Sequence, residues 1–432
     1  YSRRWCDDNC RSSQAVTQRT ALRSDGQVET VERDALGRVV HSTRLGFDGQ
    51  VVSTATHYDA LGRNYAVSLP YLDADAASRC YMLRQHDALS RVLTEFRPVR
   101  EDDCRYAAAP SPSDTATGQG QRLAFLYDLP DEAGWKRDIL LQEPGRPDLV
   151  RTEVYDAQGR VQSVTEQGAD VEARIAFRYT PEGNLAEVTA ADGSTTRFEY
   201  DPIGRAASMD DSNLGFRAYA HNALGELIFE RDGDGIFTRY SYDALGRLER
   251  RVDNWDFLSS GDPRQQITDF AYDDAAGFGL GRVAVATGPY PAGGQVPVSA
   301  PRITYHYDDR GRLAHRLQRL HIGGQNRHFW TSQSYDDLGR LWELAYPATA
   351  DDASESEPGT QRLRIAYRHN ARGYLAAVEQ VDTSAVLWQS LAIDASGRFT
   401  RTQQNDGALT TTRSFRRASG LMTGTQSVSY TH

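Results

Sequence analysis

One seven-residue word recurs along the chain and constrains its fold more than any other feature. It reads Tyr242-Asp243-Ala244-Leu245-Gly246-Arg247-Leu248. It returns as Tyr58-Asp59-Ala60-Leu61-Gly62-Arg63, Tyr155-Asp156-Ala157-Gln158-Gly159-Arg160 and Tyr200-Asp201-Pro202-Ile203-Gly204-Arg205, and again from Tyr307 and Tyr335. A fixed word at a near-fixed period is the mark of a repeat architecture. Asp at the first place of a four-residue turn bonds its own backbone two residues on, and Gly at the fourth accepts the positive φ that closes the hairpin. Asp-x-x-Gly therefore predicts a type I turn ending in a left-handed Gly, with Tyr and Arg as flanking strand residues. Pro202 presets φ at the second turn position. On this reading the word is structural and carries no chemistry.

Turn glycines from Gly159 to Gly246 follow one another at 24, 21, 21 and 21 residues. From Gly281 to Gly420 the intervals are 30, 28, 34, 24 and 23, and the longer ones hold insertions such as Gly288–Pro301 and Ala348–Gly359. Such insertions belong on the rim of a repeat stack. A second turn is expected inside many units, at Asp192-Gly193, Asp232-Gly233, Asp406-Gly407, Asp25-Gly26 and Asp48-Gly49, because Asp-Gly between alternating runs signals a hairpin. Arg197–Tyr200 and Arg239–Tyr242 alternate with the period of 2 of a half-buried strand. The chain reads as all-β: repeated β-hairpins in a long, coiled antiparallel sheet. It divides into a Cys-containing start of the array (1–100), a degenerate insertion (101–150) holding a small-residue loop over 107–120 and a strand over 123–127, and a regular array (151–432).

About a dozen units of two strands give on the order of 24 strands, a ribbon of roughly 115 Å at a strand spacing of about 4.8 Å. An open twisted sheet rarely exceeds about 10 strands without curling. The ribbon should therefore coil, either into two facing layers or around an enclosed space. Only 39% of the 432 residues are apolar and mean hydropathy is −0.61, which suits a thin wall better than a thick core. A net charge of −10 argues against binding nucleic acid or anionic lipid through bulk charge. No apolar run approaches the roughly 18 residues of a membrane-spanning helix. The first residue, Tyr1, suggests a piece of a longer polypeptide. Cys6, Cys10, Cys80 and Cys104 allow two disulfides (Cys6–Cys10 and Cys80–Cys104), free thiols or a zinc site.

The words at 21-residue spacing resemble the YD repeats of the rearrangement-hotspot (Rhs) family. Relatives include the B and C components of bacterial insecticidal toxin complexes and the animal teneurins. The resemblance covers about residues 30–100 and 150–425. It implies a hairpin ribbon wound into a hollow cocoon-like shell, which in bacterial members encloses a toxic C-terminal domain until delivery. It also implies an effector polypeptide and other toxin-complex subunits as partners, and secretion or delivery to the extracellular space or a host cell. The Asp-Pro-x-Gly-rich ending of bacterial members has no counterpart after Gly420, so autoproteolysis is assigned to no residue here.

Catalytic, cofactor and metal residues are expected to be none. His86, His221 and His369 take the Tyr place of the word and read as wall residues. His321 and His328 flank Gly323–Asn326 and read as cross-strand neighbours, and His306 and His315 lie on strands. Asp232-Gly233-Asp234-Gly235 lacks the later ligands of a calcium loop, and Gly277–Gly281 opens no helix that would hold a phosphate. Asp273-Asp274, Asp308-Asp309 and Asp336-Asp337 fall at the turn word, one Asp capping and the other solvated. The Tyr that recur at the repeat position read as cross-strand packing. The only stretch without repeats, 101–150, offers Asp128, Asp131 and Glu132 but no His. A containment shell is the leading reading, and a surface adhesin binding glycans or cell-surface partners is the alternative.

Overall fold

The computed structural model describes residues 2–6, 10–23, 26–99, 104, 111, 120–131, 134–143, 145–169, 172–255, 264–273, 277–349 and 352–429. Apart from Ser111 and Gly120, the loop expected over 107–120 lies outside them, as do Asp25, Glu132 and Asp274. Among the described residues, 33 strands belong to one antiparallel sheet, and the single helical segment is a 3-10 turn, Asp73–Ser78. The all-β hairpin reading holds. The chain forms two compact units, one of residues 1–174 with 367–432 and the other of 175–366.

The turn word explains why the hairpins close where they do. Asp243 N–H donates to the Arg247 carbonyl (2.9 Å) and Gly246 N–H to the Asp243 carbonyl (3.0 Å), with Gly246 at φ +75°. The Asp243 carboxylate fixes the turn from outside: Oδ1 accepts from the main-chain N–H of Leu245 (2.9 Å) and Arg247 (3.0 Å). Asp59, Asp156, Asp201, Asp308, Asp336 and Asp394 repeat these bonds, and Asn222 and Asn370 supply the same oxygen from an amide. The aliphatic third place of the turn stays in solvent: Leu61, Ile203, Leu224 and Leu245 are 71–83% exposed.

The intervening Asp-Gly turns differ from expectation. They are not two-residue loops but the same four-residue closure. Gly193 N–H donates to the Ala190 carbonyl (3.0 Å) and Gly49 N–H to the Gly46 carbonyl (3.1 Å). In the 232–235 stretch the left-handed residue is Gly235 (φ +82°) and the turn starts at Asp232, so Asp232-Gly233 is itself an Asp-x-x-Gly word. Asp406-Gly407 forms a wider turn in which Asn405, Asp406 and Gly407 all have positive φ. Gly323-Gly324 is a two-residue loop, both residues left-handed, between paired Ile322 and Gln325.

The strand count exceeds the expected two dozen partly because the array runs on through 121–155. Gln121–Asp131 and Gly134–Gln142 pair with each other and extend the ladder from Val92–Arg97 to Leu149–Tyr155. Within the second unit, the insertions after Val283–Pro291 and after Leu341–Ala348 join strands at the edge opposite the Tyr-Asp words. True core is scarce. In the first unit Ala66, Tyr81, Leu83 and Phe96 form one buried cluster, and Cys80, Cys104 and Ala418 another.

Ser90 stands in the Gly place and adopts φ +66°. A side chain in the left-handed region costs about 1–2 kcal/mol, partly offset by the greater freedom of Gly in the unfolded chain. Ser90→Gly should therefore stabilise the protein by about 0.5 kcal/mol. Gly246→Val, which places a β-branched residue at φ +75°, should cost about 2 kcal/mol or more. Urea unfolding of the two variants checks both signs.

Candidate functional site

The Tyr and Arg of each word do more than flank a turn. In the second unit, Asp201 Oδ2 accepts from Arg205 Nε (2.6 Å), and Arg205 NH1 reaches on to the carbonyl of Asn222, the first residue of the next turn (3.0 Å). The Arg247 guanidinium pairs with its own Asp243 (2.7 Å), with Asp273 of the following word (2.9 Å), and lies 4.3 Å over the Tyr272 ring. Tyr272 OH in turn donates to the Leu248 carbonyl (2.9 Å), the residue after Arg247. Tyr200, Tyr242, Tyr307 and Tyr335 make the same hook to the strand that leaves the preceding turn. Each unit's sheet edge thus carries a ladder of Asp, Arg and Tyr that ties each turn to the next.

Two words depart from the usual length, and the first of them was hidden in the sequence. Tyr127-Asp128 keeps the Tyr hook to the Val92 carbonyl (2.9 Å), the Arg91 cation 4.5 Å from its ring and an Arg91–Asp128 ion pair, although its Gly is displaced to Gly134. Tyr272-Asp273 closes only at Gly281, whose N–H donates to Asp273 Oδ1 (2.6 Å). Asp128 therefore belongs to the repeat and not to a separate polar stretch. Gly277, in the run weighed as a phosphate loop, lies so close to its neighbour that a Cβ would sit 1.8 Å from the Tyr307 carbonyl oxygen.

The candidate histidines scatter. His86 and His221 end strands opposite Val92 and Leu227, and His369 ends Arg362–His369. His321 and His328 are not partners of each other: His321 Nδ1 meets Asn326 Oδ1 at 3.0 Å, and His328 sits opposite Arg319. His306 and His315 do face each other, with ring centroids 6.3 Å apart and Trp330 within 5.6 Å of His306. Asp309 and Asp337 are exposed beside their capping neighbours. Cys6–Cys10 and Cys80–Cys104 are disulfides. No three His, Cys, Asp or Glu among the described residues converge as metal ligands.

Sequence reading missed a polar cluster in the first unit, assembled from residues 11–79. Glu32 is fully buried and accepts from the N–H groups of Arg11 and Ser12 (both 2.9 Å) and from Gln18 Nε2 (3.1 Å). His41 lies 3.8 Å from Glu32 and 3.4 Å from the Tyr71 hydroxyl. Arg11 pairs with Asp73, which also accepts from the buried Ser53 hydroxyl. The same unit contains a seam between segments distant in sequence. Tyr374 OH donates to the Leu45 carbonyl (3.0 Å), while Asn370 Nδ2 (3.1 Å) and Arg372 NH1 (3.2 Å) both reach the Phe47 carbonyl. Arg44 NH2 reaches the Ala395 carbonyl (3.1 Å), and Arg417 pairs with Asp75 (2.7 Å).

The main-chain N–H of Arg205 first and its guanidinium next, against partial burial, hold the Asp201 carboxyl below its ordinary value. A depressed carboxylate stabilises the fold above about pH 4 and loses that contribution as pH falls through its folded value. Arg205→Gln should lower stability at pH 7, and its deficit against the parent should shrink as the pH is lowered below about 4. Chemical denaturation at both pH values checks the sign. At the seam, a Cβ on Gly26 would lie 1.8 Å from the Ala371 carbonyl oxygen. Gly26→Val should cost about 1–3 kcal/mol and speed amide exchange over 370–374. Unchanged protection there would contradict the docking.

A family model described as RHS Repeat matches residues 179–213. No curated protein matches the chain by sequence. Among solved structures, the chain is similar to TcdB2-TccC3-Cdc42 (TM-score 0.68, 12% identity), with 95% of this chain and 21% of that one covered. TcdB2-TccC3 gives a TM-score of 0.67 at 13% identity, with 95% and 22% covered. The Photorhabdus luminescens Tc holotoxin pore gives 0.67 at 13%, with 93% and 20% covered. The chain thus spans about a fifth of the length of the chains it matches. The recurrent Tyr-Asp word, the RHS Repeat matched over residues 179–213 and this shared fold together make the chain similar to YD-repeat proteins.

Proposed function

We propose that this chain is a wall segment of a shell that holds an effector polypeptide apart from its surroundings until delivery, without a catalytic residue of its own. The observation that carries the reading is the seam. Segments more than 320 residues apart in sequence are bonded through Tyr374, Asn370 and Arg372 to Leu45 and Phe47. A ribbon tied back to itself in this way can keep a space closed. The ladder of Asp, Arg and Tyr supports the same role, since it stiffens a thin sheet without a thick core. Likeness in fold to TcdB2-TccC3 adds weight, and other subunits of a toxin complex are the partners this role calls for. Release outside the producing cell is part of the proposal.

The test is limited proteolysis of the parent polypeptide carrying its effector domain, beside an Arg372→Ala, Tyr374→Phe double variant of the seam. The effector should resist protease in the parent and become cleavable in the variant at least about tenfold faster, the change that about 1.4 kcal/mol of seam stabilisation gives when cleavage follows opening. Digestion of the parent's effector at the rate of the isolated domain would overturn the reading.

A further inference from the structure

The polar cluster of the first unit borders a cavity of about 420 Å³, lined by Arg11, His41, His57, Tyr71, Asp73 and Arg79 among others. The volume lies within the range of small-ligand sites, about 300–1,000 Å³. Its two cations and two carboxylates are not all paired with one another. Arg11 is committed to Asp73, and Glu32, behind the His41 ring, is satisfied by two main-chain N–H groups and Gln18. Arg79 has no carboxylate partner among the described residues; its guanidinium lies 4.8 Å over the Tyr71 ring, and its buried Nε–H has no acceptor. A buried donor on a cation is costly to leave unmade.

The surroundings favour an anion. His41 and His57 are pushed below their ordinary values, by burial first, and Arg79 adds to the shift at both. Both rings are therefore neutral near pH 7 and do not compete for a negative charge. The side chains of Arg11 and Asp73 are about two-fifths exposed (41% and 38%) and mark the mouth. Each disulfide abuts a lining cation in sequence, Cys10 preceding Arg11 and Cys80 following Arg79. The Arg79 guanidinium lies 4.8 Å from the Tyr71 ring centroid, and a planar fork is matched best by a planar two-oxygen anion.

We propose that this cavity is a carboxylate-binding site in which Arg79 takes the charge. The carboxylate comes either from a free small acid or from an acidic side chain of a polypeptide. The proposal does not depend on the shell reading.

Calorimetric titration of the whole 432-residue chain at pH 7.5 and constant ionic strength tests it, using glutarate and the peptide N-acetyl-Ala-Glu-Ala-amide as probes. Saturable binding of either is expected. Glutarate alone identifies a free acid as the ligand, and the peptide alone identifies a side chain. Arg79→Gln should weaken binding at least about tenfold. Arg79→Lys, which keeps the charge and loses the fork, should weaken it less. Arg250→Gln, at an ion-paired arginine of the other unit, should leave it unchanged. Absence of saturable heat with both probes would overturn the proposal. So would equal affinity in a folded Arg79→Gln or Arg79→Lys protein.

Discussion

A single carboxylate oxygen does most to decide this structure. Asp Oδ1 at the head of each turn accepts two main-chain N–H groups, from the third residue of the turn and from the Arg after its Gly, as at Asp243. Those bonds set where one strand ends and the next begins. Register along a sheet this long has little else to fix it, because a slip of one residue would exchange its two faces. Oδ2 then takes the Arg Nε, and that Arg reaches the neighbouring word. Asn222 and Asn370 keep the first function without the charge, and both remain turns.

The remainder of the protein follows from having many fixed turns and little interior. Exposed ion pairs contribute weakly one at a time. Here Arg247 also covers the Tyr272 ring and reaches Asp273 as a second acceptor. Coupling of that kind runs between nearest neighbours, so stability in a repeat array accumulates unit by unit. The aliphatic third place of the turn takes no part, since Leu61 and Leu245 remain in solvent.

How much was legible in the sequence depended on how local the cause was. The Asp-x-x-Gly turn is written in consecutive residues, so the hairpins and the all-β class could be read directly. The Asp-Gly pairs misled because the third and fourth places of a four-residue turn look like a two-residue turn when Gly alone is weighed, as at Ala190–Gly193. Tyr127-Asp128 escaped notice because its Gly is displaced. The Tyr hook and Arg stacking left a signal in their constant places before and after Asp, but only structure tells which neighbour each one meets. The cluster of Arg11, Glu32, His41, Asp73 and Arg79 left none, since its members share no spacing and are assembled by strand pairing and two disulfides.

The seam bears on the order in which the chain folds. Hairpin after hairpin is a local event, each new strand finding the one made just before it, and such contacts form fast. Joining Leu45 and Phe47 to 370–374 closes a loop of several hundred residues, yet the added entropic cost rises only with the logarithm of loop length. A ribbon already stiffened by its turns has still less freedom to lose. Closure joins segments more than 320 residues apart in the first unit, and until it happens the turns around 46–49 wait with their partner surface uncovered. During synthesis that wait lasts for more than three hundred residues, the interval in which this protein is most open to wrong partners.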